Sequence, residues 1–156
     1  MPRAFTLIEL LFVLTLIALV AALSIPGLIE ARKSANEGSA VAALKTIGTQ
    51  EALFKEGDSE KDENLDYGNL RELSDAQLID AILGSGSKAG YRFQCEPSFT
   101  TRDTLWFAVA NPALGRRTGD RYFLTNQTGA IYYTGAVSFD INNTDCEVPT
   151  HATPIR

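Results

Sequence analysis

Phe5 to Ile29 reads FTLIELLFVLTLIALVAALSIPGLI, and Glu9 is its only charged residue. A run of ~20 apolar residues is long enough to cross a bilayer as an α-helix. A carboxylate inside such a run costs about 3 kcal/mol or more, so it calls for a partner. An ordinary membrane anchor explains the length but not the acid. A cleaved secretory signal has a shorter and purely apolar centre, although Ala21, Ala22 and Ser24 imitate a cleavage site. The fold and function of the chain turn on what Glu9 meets.

Beyond the run, residues 28–56 read LIEARKSANEGSAVAALKTIGTQEALFKE. Leu44, Ile47 and Phe54 fall at helical spacing with Ala40 and Ala43 beside them, so the helix is expected to continue with one apolar face. Gly38 and Gly48 weaken it by ~1 kcal/mol each relative to alanine. Gly57-Asp58 ends it. Pro26 withdraws one backbone donor from the carbonyl of Ala22. It marks either the membrane exit or a soft point that lets the helix straighten or melt. The expected divisions are a leader over 1–4, a transmembrane and assembly half over 5–27, an amphipathic half over 28–57 and a globular head over 58–156.

The chain has 156 residues and a formal net charge of −5, with the acids mostly beyond residue 50. An acidic exterior argues against nucleic acid as the main partner. His151 is the single histidine and lies near the end, so no Ser/His/Asp constellation is expected. There is no phosphate-binding loop. Neither an enzyme nor a cofactor is expected. Arg3 precedes the run while Arg32 and Lys33 follow it, a balance that does not favour export of the C-terminal part. If that part is exported, Cys95 and Cys146 read as a disulfide. The alternative is two buried thiols. Two cysteines and one distant histidine do not make a zinc site.

In the head, residues 58–72 (DSEKDENLDYGNLRE) read as a solvated loop. Ser74-Asp75-Ala76-Gln77 reads as a capping box opening one short helix that stops at Gly84. GSGSKAG reads as a flexible turn. Strands are expected at Tyr91–Cys95 and from Leu105 to Ala110. A hairpin comes next, with Tyr122–Thr125 and Ala130–Tyr133 around the turn Asn126–Gly129. Three or four antiparallel strands would pack on the second half of the long helix, an α+β arrangement. Asn126-Gln127-Thr128 and Asn142-Asn143-Thr144 fit the glycosylation acceptor pattern.

Phe5-Thr6-Leu7-Ile8-Glu9-Leu10-Leu11, with the apolar run to Pro26, resembles the type IV pilin superfamily, which includes the pseudopilins of type II secretion. The resemblance implies cleavage between Ala4 and Phe5 by a prepilin peptidase and N-methylation of Phe5. The family usually has glycine where Ala4 stands, which leads to the expectation of slower processing. The resemblance also implies that Glu9 meets the N-terminal amine of a neighbouring subunit, and that Pro26 is a helix-loosening position. Two buried opposite charges are tolerable together, whereas either alone is heavily penalised. A bridge between Cys95 and Cys146 would tie the first strand to the tail, as similar bridges in pilins fence a surface loop. Asp140, Asn142 and Asp145 lie where major pseudopilins hold calcium, but they do not match that pattern, and no metal is expected.

In function, the resemblance implies a structural subunit of a type IV pilus-like filament. It would serve adhesion, motility or DNA uptake. Its partners would be identical or homologous subunits, the peptidase, an inner-membrane assembly platform and, before assembly, membrane lipid. It would sit in the inner membrane and then in a surface filament. The alternatives are a type II secretion pseudopilin, a minor pilin, or an anchored binding domain that does not polymerise.

Overall fold

In the computed structural model, which describes residues 5–57, 64–139 and 146–155, Leu7–Glu56 form one α-helix, α1. The chain divides into two compact units, Met1–Arg32 and Lys33–Arg156. In the first, the most apolar window of α1 has none of its residues buried, and it is long and apolar enough to cross a membrane. Pro26 lies within the helix.

In the second unit, α1 buries Glu37, Ala40, Ala43, Leu44, Ile47, Glu51 and Phe54. Their three- and four-residue spacing draws one stripe along the helix. Two short helices come after it, α2 (Leu70–Asp75) and α3 (Ala81–Gly84). The strands are β1 (Ser87–Lys88), β2 (Tyr91–Pro97), β3 (Trp106–Pro112), β4 (Tyr122–Asn126), β5 (Ile131–Thr134) and β6 (Thr153–Pro154). They form one antiparallel sheet in the order β1-β2-β3-β4-β5-β6. The fold is α+β and pilin-like. Tyr91, Phe93 and Cys95 from β2, Trp106, Ala108 and Ala110 from β3 and Phe123 from β4 pack with the helical stripe.

The sheet has more strands than expected, because the two-residue β1 and β6 extend its edges. The GSGSKAG stretch is not a free turn: it contains β1 and reverses through Gly86, Ala89 and Gly90, all at positive φ. The expected capping box at Ser74 is also corrected. Ser74 lies in the last turn of α2, and the box is one turn earlier. Asn69 Oδ1 accepts from the backbone N–H of Glu72 at 3.0 Å, and Glu72 Oε2 accepts from that of Asn69 at 2.7 Å. The helix therefore starts inside the segment that reads as solvated loop. Arg102 holds it there, donating to Glu72 at 2.8 Å.

The other face of the sheet is covered as well. Phe107, Val109 and Leu124 pack with Phe139 and Cys146, and Val148 and Ala152 join them. The ring of Phe139 stacks on His151, with centroids 5.8 Å apart. This second, smaller core is why Trp106–Ala110 is buried at every position instead of alternating.

Candidate functional site

The run from Phe5 to Ile29 presents its large apolar side chains outward: Leu7 is 83% exposed and Leu23 is 76% exposed. Removing that much apolar surface from water is strongly favourable, at roughly 25 cal/mol per Å². A surface of this kind belongs in lipid or against other apolar helices.

Glu9 sits three residues after Thr6, and the two close a reciprocal cap at the start of α1. The Thr6 hydroxyl accepts from the backbone N–H of Glu9 at 3.3 Å. Glu9 Oε2 accepts from the Thr6 backbone N–H at 3.4 Å and from its hydroxyl at 3.2 Å. The pattern Thr-x-x-Glu before an apolar run is a capping box. The first turn of a helix also favours negative charge. In the single chain, then, the acid is engaged by its own helix terminus. Thr6 is not among the expected assembly residues, although the Thr-x-x-Glu spacing is a signal that could have found it.

Of the other expected site residues, Phe5 is exposed and adjoins this cap, and Ala4 lies outside the described residues. Pro26 is far along the run from Glu9. It has no N–H to offer the Ala22 carbonyl. Nearby, the Ser24 hydroxyl donates to the Val20 carbonyl at 2.9 Å. The expected bridge between Cys95 and Cys146 is not formed in this structure, where both are thiols. Cys95 packs with the helical stripe and Cys146 with the cluster on the other face of the sheet. Asp140, Asn142 and Asp145 lie outside the described residues. Among the described residues no cluster of His, Cys, Asp and Glu is suited to a metal. The Asn126 side chain is buried. Its oxygen accepts from the Thr128 N–H at 3.1 Å and from the Thr128 hydroxyl at 2.7 Å, so this triplet is turn chemistry rather than an open glycosylation acceptor.

Two buried acids that no sequence motif marks fasten α1 to the head. Glu37 Oε1 accepts from the backbone N–H of Asp120 at 2.8 Å and of Arg121 at 3.2 Å, while its Oε2 takes the Arg121 guanidinium at 2.7 Å. Glu51 Oε2 accepts from the Gly68 N–H at 3.1 Å, and Oε1 from the Cys95 thiol at 3.0 Å. Burial pushes the Glu51 carboxyl up to about 7 against the pull of those two bonds. Burial also raises the Cys95 thiol well above its ordinary range, and the neighbouring Glu51 adds to it. Such a thiol is a poor nucleophile.

Residues 2–25 match the family model described as the prokaryotic N-terminal methylation motif. The chain therefore carries the prepilin-type signal of type IV pilins. That signal points to a structural subunit of the pilin or pseudopilin kind, processed by a prepilin peptidase, and with the long apolar helix it is consistent with membrane anchoring before assembly. No curated protein and no solved structure matches the chain.

Proposed function

We propose that this chain is a structural subunit of a type IV pilus-like filament. It waits in the inner membrane as a single-pass protein, is cut between Ala4 and Phe5, and polymerises through the apolar half of α1. The observation that carries this reading is the prepilin-type signal over residues 2–25, set on a helix whose apolar side chains are left uncovered. On this reading Glu9 exchanges its cap on Thr6 for the amine of a neighbouring subunit. The exchange replaces a charge held by neutral donors with a paired one. Pro26 is the point at which the helix gives during packing.

The test is electron microscopy of surface-sheared material, with the subunit identified by mass spectrometry. Wild-type chains should appear in filaments, and Glu9→Ala should stay in the membrane without forming them. Wild-type filament yield from Glu9→Ala would overturn the role of the acid. A chain that never leaves the membrane in wild-type cells would overturn the filament reading.

A further inference from the structure

The segment Leu114-Gly115-Arg116-Arg117-Thr118 is basic in a chain whose net charge is −5. Gly115–Arg117 form a single 3-10 turn, with the Thr118 N–H donating to the Gly115 carbonyl at 3.2 Å. Leu114 is 64% exposed, and Arg116 and Arg117 are exposed beside it. Neither arginine has an ion pair or hydrogen bond through its side chain among the described residues. Asp120, the acid nearest in sequence, pairs with Lys33 at 3.2 Å, and Glu37, which accepts from the Asp120 N–H, pairs with Arg121. The turn is also fixed in place. Asn36 donates to the Thr118 carbonyl at 2.9 Å, and the Leu114 N–H donates to the Thr118 hydroxyl at 3.2 Å. Asn36 stands seven residues past Ile29, the end of the apolar run, in the sequence.

We propose that the Leu114–Thr118 turn is a membrane-surface contact. Arg116 and Arg117 bind the phosphates of anionic lipid headgroups, and Leu114 enters the headgroup and acyl boundary while the subunit waits for assembly. The proposal rests on the membrane reading of the apolar run. Charge complementarity selects the occupant: guanidinium groups pair well with phosphate oxygens, and an exposed leucine beside them suits an interface that is polar and apolar within a few ångströms. Because the two arginines bond nothing within the described head, they can turn to such a surface without breaking the fold. Release into a filament would then have to break this contact, so the turn would hold the waiting subunit back.

The test is hydrogen exchange by mass spectrometry on the full chain, one copy per nanodisc, in neutral phosphatidylcholine and in a mixture with phosphatidylglycerol. The amides of 114–118 should exchange about thirtyfold more slowly in the anionic discs, the order expected for two arginines at such a surface. High salt should abolish the difference. Arg116→Ala/Arg117→Ala should abolish it too while leaving exchange in β3 and β4 unchanged. Equal exchange in both lipids, with the chain incorporated, would overturn the contact and leave the membrane reading standing. Protection that appears in neutral discs only when two chains share a disc would assign the turn to a second copy and overturn it equally. Failure to incorporate into either disc would overturn both readings.

Discussion

Glu51 on α1 and Cys95 on β2 share a hydrogen bond of 3.0 Å in the sealed core between helix and sheet. Both residues are buried, and the acid reaches across to Gly68 as well. A carboxyl in this position makes the stability of the head depend on pH.

The sign is set by burial. The Glu51 carboxyl rises from 4.5 in the open chain to about 7 in the folded one. The folded state therefore binds the extra proton between those values, and the unfolded state does not. This contribution is fully present below about 4.5, falls as pH rises, and is lost above about 7. It amounts to about 3 kcal/mol at most. Urea unfolding of the wild type and Glu51→Gln at pH 5 and pH 8 checks it. The wild type should lose stability toward pH 8 relative to the variant, and parallel pH profiles would refute the assignment.

Cys95 supplies one of the two donors that Glu51 has among the described residues. In Cys95→Ala that carboxyl oxygen loses its partner inside the core, at a cost of about 1–3 kcal/mol above pH 7. The cost should shrink in acid, where the carboxyl is protonated. We propose that a bridge to Cys146, where it forms, draws Cys95 away from Glu51. Oxidised wild-type protein, verified by the loss of two mass units, should then show the same pH-selective change. An oxidised protein with an unaltered pH profile would contradict that coupling.

Glu37 gathers two backbone donors and one guanidinium onto a buried carboxylate, joining α1 to the start of β4. Replacing it with alanine leaves those groups without their acceptor. Glu37→Ala should lower stability by about 3 kcal/mol. Thermal unfolding reads the effect. Arg121→Ala should cost less, because the backbone donors of residues 120 and 121 remain to hold the acid.

Much of this architecture is legible in the amino-acid sequence. The residues expected to face the sheet, Ala40, Ala43, Leu44, Ile47 and Phe54, all do so, because their spacing depends only on helix geometry. The hairpin around Asn126–Gly129 is also readable, since Gly129 supplies the positive φ its turn needs. Glu37 and Glu51 are not readable as core residues. Their partners come from residues 120, 121, 68 and 95, and no local pattern announces contacts that distant. The cover over the outer face of the sheet is hidden because it uses few apolar side chains, spread between Phe139 and Ala152. The cap of α2 is masked by its charged surroundings, where Glu72 looks like one more solvated acid. At the N-terminus the reverse holds. Glu9 stands out from the sequence alone, and the structure adds only its own cap, Thr6.

The central claim is that the N-terminal run is a processed assembly helix. The most direct measurement is the mass of the N-terminal peptide of the protein isolated from its native membrane. A peptide that begins at Phe5 and carries one additional methyl group is the expected result. A peptide that retains residues 1–4, or one that begins near Ser24, would contradict the account.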